Sequence, residues 1–366
     1  MDNFRSRTLY FLFSGDKMNY NAYEKAFIAE AKRQHKSDEY IQKCVAYAKR
    51  LADNQLPIIF DENHFSLLVG MKLDFLLSIA NGQRHFYRYF SIPKANGKTR
   101  RIAEPLPMLK EVQYFILQNI LLKKPCSIYA KAYKPGASLK SNAKFHRNQP
   151  VLIKMDIENY FPSLHESRVY HLFYDTFGYG KSLSVLLTKL CTLNKGLPQG
   201  APTSPYLSNL LTVDMDTEIF QFCSENGNLR YTRYADDISI SGNMNPGYVI
   251  SAVSKIVYSN HLKVNREKTV VVRQHDRQIV TGVVVNKKLQ APKEYRKAIR
   301  LEMHYCQKYG IDDHLLRRPK MFFQVNRDEY CRSMLGRINY CLQLNRNDIE
   351  MQGYLKYMLN ELHRPQ

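Results

Sequence analysis

A chain of 366 residues can build two or three subdomains around a sizeable core without a metal or disulfide staple. With 44% hydrophobic and 12% aromatic residues it is not a mainly disordered chain. Lys and Arg outnumber Asp and Glu by 54 to 33, and the net charge of +21 points to a polyanionic partner, because each phosphate neutralised by a cation releases a condensed counterion.

In chain order, residues 18–53 predict helix: Tyr23, Phe27, Ile28, Ala31, Tyr40, Ile41, Val45 and Ala48 recur at three-to-four spacing among polar residues. A second helical stretch covers 65–80. From His85 the pattern changes to Phe86-Tyr87-Arg88-Tyr89-Phe90-Ser91-Ile92-Pro93. An Asn96-Gly97 turn and the basic strand Lys98-Thr99-Arg100-Arg101-Ile102 complete a predicted hairpin. Residues 112–122 are helical again. The centre is β-rich. Val151-Leu152-Ile153-Lys154-Met155 runs directly into Asp156, and residues 229–241 predict two short strands meeting at Asp236-Asp237. Val270-Val271-Val272 and residues 279–285 supply further β-branched strand. After Pro292 the chain becomes helical and strongly basic, through Tyr295, Ile299, Met303 and Tyr305 and then residues 331–342.

No apolar run approaches the ~20 residues of a membrane span. The first residues lack the charged-then-apolar layout of a signal peptide, so no membrane association is expected. Seven cysteines, an odd number with no C-x-x-C pair, argue against zinc ribbons and a disulfide framework. A reduced cytosolic compartment fits them best.

Polymerase chemistry needs two divalent cations about 3.5–4 Å apart, one activating the attacking hydroxyl and one holding the triphosphate. Magnesium takes a few carboxylates plus substrate oxygens in preference to a closed protein cage. Asp156 at a strand end and Asp236-Asp237 in a tight turn would supply such a set. Taken alone, Tyr234-Ala235-Asp236-Asp237 fits ordinary turn chemistry equally well. Asp312-Asp313, which follow Gly310-Ile311 without flanking apolar strands, are expected to be turn chemistry only.

Three further segments accompany that turn. They are Met155-Asp156-Ile157-Glu158-Asn159-Tyr160-Phe161-Pro162-Ser163-Leu164, then Gly196-Leu197-Pro198-Gln199-Gly200-Ala201-Pro202-Thr203-Ser204-Pro205 leading to Leu207-Ser208-Asn209-Leu210, and finally Leu262-Lys263-Val264-Asn265-Arg266-Glu267-Lys268-Thr269. In this order, with the Asp-Asp turn between the second and third, they resemble the palm motifs of reverse transcriptases. The resemblance covers about residues 84–290. It implies an α+β fold, a right-hand polymerase with fingers, a palm of antiparallel sheet packed on helices, and a helical thumb. The corresponding partition is an N-terminal helical extension over 1–70, fingers over 71–150, palm over 151–290 and basic thumb over 291–366.

Residue by residue, the resemblance makes Asp156, Asp236 and Asp237 the ligands of two magnesium ions, with manganese a possible substitute and the Ile157 carbonyl an added ligand. Phe161 falls at the steric gate that excludes a ribose 2′-hydroxyl, although a plain core position fits it too. Gln199 matches the residue beside the incoming deoxynucleotide, where Gly200 and Pro202 would let backbone approach the substrate. Lys268 matches a general acid for the leaving pyrophosphate. Lys98 and Arg100 match residues that clamp the triphosphate, while a solvated basic hairpin is the plainer reading.

Asn142-Ala143-Lys144-Phe145-His146 before the Asp156 strand and Val280-Thr281-Gly282 after the Lys268 segment make the chain similar to bacterial retron reverse transcriptases. That resemblance implies a cognate structured noncoding RNA as template and primer, synthesis from an RNA 2′-hydroxyl, and branched RNA-linked DNA as product. It also implies an antiphage role beside a separately encoded effector protein. Candidate RNA contacts are Asn142, His146, Thr281 and Gly282, with Arg296, Lys297, Arg300, Arg317, Arg318 and Lys320 in the thumb. Rival readings are a group II intron-like or other defence-associated reverse transcriptase, and a noncatalytic RNA-binding protein on a polymerase scaffold. The RNA, the effector, the oligomeric state and the task of the first 70 residues stay open.

Overall fold

The computed structural model describes residues 20–93, 97, 99–317 and 326–363. The helical stretch expected over 18–53 is two helices, α1 (Tyr20–Arg33) and α2 (Asp38–Asp53). They part where His35 takes a positive φ of 54° and the Ser37 side chain accepts from the Tyr40 amide as an N-cap. The next stretch is likewise broken, into α3 (Glu62–Leu68) and α4 (Leu73–Asn81), at Gly70 with φ 66°. The hairpin follows as β1 (Tyr87–Pro93) and β2 (Thr99–Pro105), and then α5 (Pro107–Asn119), which starts on its proline. After it come α6 (Leu139–Phe145), β3 (Val151–Ile157), α7 (Tyr160–Ser163), α8 (Glu166–His171), α9 (Lys181–Cys191), α10 (Ser204–Leu210) and α11 (Val213–Glu225). The centre continues with β4 (Arg230–Tyr234), β5 (Asp237–Gly242), α12 (Pro246–Ser259), β6 (Val264–Arg273), β7 (Ile279–Val280) and β8 (Val283–Val284). The helical end comprises α13 (Lys293–Tyr309), α14 (Ile311–Arg317), α15 (Arg327–Leu344) and α16 (Ile349–Leu362).

Two compact units interleave along the chain, cutting across the four sequence segments. The first takes Met1–Ile128, Ile157–Thr217 and Ile256–Lys263, and the second takes Tyr129–Asp156, Glu218–Lys255 and Val264–Gln366. In the first unit, fully buried Gln113 on α5 donates to the Tyr87 hydroxyl (3.0 Å) and to the Leu190 carbonyl (2.8 Å), tying α5 to β1 and α9. The N-terminal helices are part of this unit. Arg50 on α2 donates to the Gly178 carbonyl (2.7 Å), and the Tyr47 hydroxyl donates to the Ile59 carbonyl (2.7 Å).

In the second unit β4, β5, β3 and β6 form one sheet in that order, with β5 antiparallel to both β4 and β3. Side chains alternate between the two faces of a strand, and here the alternation separates chemistry. One face carries Ile153, Met155, Ile238 and Ile240, all 1% exposed or less. The other carries Leu152, Lys154 and Asp156 of β3 opposite Ser241, Ser239 and Asp237 of β5, with Thr232 on β4 opposite Ser239.

A second core lies under the helical end, where Val280, Val283, Ile299, Met303, Ile338, Met351 and Met358 are buried together with Ala143 and Leu152. β7 and β8 join through a two-residue turn in which Thr281 (φ 45°) and Gly282 (φ 80°) both have positive φ. This conformation suits the right-handed twist of a hairpin but is costly for a β-branched residue.

His146, just past α6, is fully buried, and its ring nitrogens meet the Ser241 and Thr232 hydroxyls, each at 2.7 Å. Burial, reinforced by Arg230, pushes its pKa down to about 3 from 6.5. The unfolded chain therefore takes up a proton near pH 6.5 that the folded chain refuses, so stability present above 6.5 is lost as the pH falls towards 3. In denaturant titrations the wild type should lose roughly 1.4 kcal/mol per pH unit in that window relative to His146→Gln. At neutral pH, His146→Ala should cost about 2–4 kcal/mol, since it leaves two buried hydroxyls unpaired beside a cavity.

Candidate active site

The three carboxylates expected from the sequence are brought together within the second unit. Asp156 and Asp237 are directly opposite one another on β3 and β5. Tyr234 pairs with Asp237, so Ala235 and Asp236 form the two-residue loop between β4 and β5. Ala235 sits at φ 58°, a left-handed conformation costing a non-glycine residue about 1–2 kcal/mol. The fully buried guanidinium of Arg233 donates to its carbonyl (2.9 Å) and helps to hold the loop there.

This arrangement crowds negative charge. The Asp237 carboxyl is held above its usual range, first by burial, then by Asp236 and Asp156, against the opposing pull of Lys154 and Lys268. Lys268 donates to both oxygens of Asp156 at 2.9 Å, and that contact raises the lysine in turn. Lys154 was not singled out in the sequence. Its position two residues before Asp156 on one strand face was the available signal.

Among the described residues no three His, Cys, Asp or Glu side chains close into a ready metal cage. The carboxylates are clustered without a cage, and magnesium takes a few carboxylates plus phosphate oxygens in preference to a closed one. Ile157 closes the strand that carries Asp156.

The residues expected around the nucleotide lie in the first unit. Phe161 is half-buried on α7, and its carbonyl accepts from the Leu197 amide (3.1 Å), linking that helix to the Gln199 loop. The Ala103 amide of β2 donates to the Gln199 carbonyl (2.8 Å), while the Gln199 side chain has no hydrogen-bond partner among the described residues. Gly200 has a different reason from the one expected. A Cβ there would lie 2.6 Å from the Ala103 carbonyl oxygen and 2.9 Å from Ile102 Cγ2, so the glycine admits strand β2. Arg100 is exposed on β2 opposite Ile92, and Lys98 lies outside the described residues.

Two expected RNA contacts are corrected. His146 is fully buried with both nitrogens engaged, and Asn142 is 1% exposed and donates to the Thr281 hydroxyl (3.3 Å). The two short motifs around the palm therefore meet each other: Asn142 braces the strained Thr281, and Ala143 joins the core with Val280 and Val283. Gly282 of that turn is exposed. Arg300 is corrected too, because its guanidinium forks onto both oxygens of Glu350 at 2.6–2.8 Å. On α13 Lys297 is exposed, whereas the Arg296 Nε is buried without a partner among the described residues. Arg317 stacks over the Tyr309 ring at 4.8 Å and stands 3.8 Å from Asp313. Arg318 and Lys320 lie outside the described residues. Asp312 and Asp313 occupy the first turn of α14, where acidic groups favour the helix dipole, and Asp312 takes Arg327 at 3.0 Å.

The model of the family described as reverse transcriptase (RNA-dependent DNA polymerase) matches residues 92–295. The chain is similar to the retron Ec86 reverse transcriptase of Escherichia coli, 30% identical over 287 residues, spanning 76% of this chain and 88% of that one. It is similar to the retron Mx65 reverse transcriptase of Myxococcus xanthus, 32% identical over 279 residues, spanning 70% of this chain and 65% of that one. Among solved structures, telomerase from Candida albicans in complex with a fragment of telomeric RNA aligns with a TM-score of 0.45 and 12% identity, covering 88% of this chain and 60% of that one. The foamy viral protease–reverse transcriptase in complex with double-stranded DNA aligns with a TM-score of 0.40 and 15% identity, covering 76% and 44%.

Because ionisation of Asp237 costs stability as pH rises through its raised pKa, Asp237→Asn should stabilise the protein in EDTA at pH 7. The expected gain is about 1 kcal/mol, read as a melting midpoint about 2 °C higher, while nucleotide incorporation is lost. Gly200→Ala, which must displace β2 or the loop, should cost about 2 kcal/mol in the same melt.

Proposed function

Because this chain belongs to the bacterial retron reverse transcriptases, within the reverse transcriptase (RNA-dependent DNA polymerase) family, we propose that its RNA-directed DNA synthesis runs by two-metal phosphoryl transfer at Asp156, Asp236 and Asp237. The observation that supports this most directly is the pairing of Asp156 with Asp237 on neighbouring strands, with the Asp237 carboxyl raised first by burial and then by its acidic neighbours. Those carboxylates, with the Ile157 carbonyl, would hold magnesium or manganese, which when bound activates the primer hydroxyl and neutralises the triphosphate.

The chain's own groups have distinct tasks in this reading. The sheet fixes Asp156 and Asp237 so that little reorganisation accompanies the reaction. Lys268, kept protonated by Asp156, carries the proton that the pyrophosphate leaving group requires. Phe161 excludes the ribose 2′-hydroxyl, Gln199 packs beside the incoming deoxynucleotide, and Lys98 and Arg100 bind its phosphates.

The template and primer in this proposal are one cognate structured noncoding RNA, extended from a 2′-hydroxyl to give branched RNA-linked DNA. Thr281-Gly282 and the thumb cations Lys297 and Arg317 contact that RNA. The enzyme works in the bacterial cytoplasm beside a separately encoded effector in antiphage defence. None of the seven cysteines forms a disulfide, and no described helix is long and apolar enough to cross a membrane.

Purified protein should incorporate deoxynucleotides with magnesium on its co-purified RNA. Asp236→Ala combined with Asp237→Ala should reduce incorporation at least a hundredfold, and unchanged synthesis would sink the metal assignment. Phe161→Ala should admit ribonucleotides; unaltered discrimination would make Phe161 a core residue. Sequencing of the co-purified nucleic acid should reveal short DNA joined to RNA through a debranching-sensitive 2′-5′ linkage. Unbranched products would end the proposed priming step and leave the polymerase intact.

A further inference from the structure

The α6 segment has two sides. Asn142, Ala143 and His146 are buried, while half-buried Lys140 and exposed Lys144 stand one turn apart on α6 and exposed Arg147 follows two residues past its end, together a cationic stripe. Lys144, Phe145 and Arg147 are exposed, Phe145 to 46%. Lys131 holds its ammonium 4.4 Å from the centre of the Phe145 ring. Arg230 donates to the Phe145 carbonyl (2.8 Å) and to the Arg147 carbonyl (3.3 Å), adding a cation where the helix ends.

The absence of acidic residues separates this stripe from an ordinary solvated face. From Val112 through Met155 the chain has seven lysines and one arginine and no Asp or Glu, in a protein with 33 acidic residues in 366. β4 and β8, against which α6 packs, bring no carboxylate either. Lys140 and Lys144 are separated by about 6 Å of helix rise, within the Debye length of about 8 Å in physiological salt. They repel one another until a polyanion arrives.

Position matters as well. His146 anchors α6 on the same sheet face that carries the carboxylates, four residues along β5 from Asp237. That is about 13 Å along the strand.

We propose that Lys140, Lys144 and Arg147, with Phe145 beside them, form a docking surface for the phosphate backbone of a folded RNA stem, held in fixed register with the polymerase face. The proposal rests on the retron reading, in which a structured RNA is template and primer, and it assigns the outer side of a segment whose inner side is structural. A-form RNA hides base identity in its deep groove, so a stem is held through phosphates and shape. A rigid cationic stripe suits that mode.

The test uses the full chain with Lys140→Gln, Lys144→Gln and Arg147→Gln combined. A control variant carries Lys25→Gln, Lys32→Gln and Lys36→Gln. The probes are a labelled RNA hairpin and a DNA hairpin of the same sequence, titrated over a range of salt concentrations. The α6 variant should bind the RNA hairpin at least tenfold more weakly. Its slope of log affinity against log salt should fall by about 2–3. The control should change neither quantity, and the DNA hairpin should lose less than threefold. Extension of a pre-annealed DNA primer on a homopolymer RNA template should stay within twofold of wild type, and circular dichroism should give the same melting midpoint. An unchanged salt slope, an equal loss in the control or an equal loss for DNA would overturn the proposal. Parallel loss of homopolymer extension would also overturn it, by assigning these cations to the polymerase groove. Failure of the wild type on the homopolymer would instead count against the polymerase reading, so the two failures are distinguishable.

Discussion

Mutual repulsion of carboxylates on neighbouring strands is the constraint around which the second unit is organised. Asp156 and Asp237 are cross-strand partners, Asp236 adjoins them in the turn, and burial together with these neighbours raises the Asp237 carboxyl. Like charges directly opposite in a sheet are destabilising, so such a pair persists only where the surrounding packing over-determines it. The supports are visible. The reverse face of the sheet is buried isoleucine and methionine, and Lys268 covers both oxygens of Asp156. The buried Arg233 holds the strained Ala235 carbonyl. In the proposed reaction a divalent cation with its triphosphate would relieve the same repulsion.

The remainder of that unit keeps its parts in register. α6 is fastened at one end to β4 and β5 through His146 and on its flank to the β7–β8 turn through Asn142. Burial keeps the His146 ring neutral, so the fastening persists across the pH range in which a polymerase works. Two motifs far apart in sequence are one structural joint, and the same helix that locks the sheet internally presents its cations outward. Tight inward packing makes an outward charge pattern geometrically defined.

Glycine and charge acquire different meanings once neighbours are known. Gly200 beside Gln199 is explained by the close approach of β2, which couples the basic hairpin to the Gln199 loop through the Ala103 amide. Arg300, one of several cations on α13, is paired with Glu350 on α16, whereas exposed Lys297 on the same helix has no such carboxylate among the described residues. Composition weights these two cations equally.

The order of elements, the strand running into Asp156, the tight turn at Asp236 and the positions of Phe161, Gln199 and Lys268 were legible in the sequence. Strand alternation, turn chemistry and motif spacing are local properties. The breaks at His35 and Gly70 inside long helical patterns were not anticipated, because apolar periodicity continues across a short turn. Which side of the 142–146 segment faces the core, which carbonyl crowds Gly200, and which cation already has a carboxylate depend on residues far along the chain. Sequence by itself determined the chemistry available to this protein: three acids, a lysine and a large excess of positive charge. Only the tertiary structure decided which of those groups are exposed, paired or buried, because burial and pairing are set by neighbours that sequence separation does not reveal.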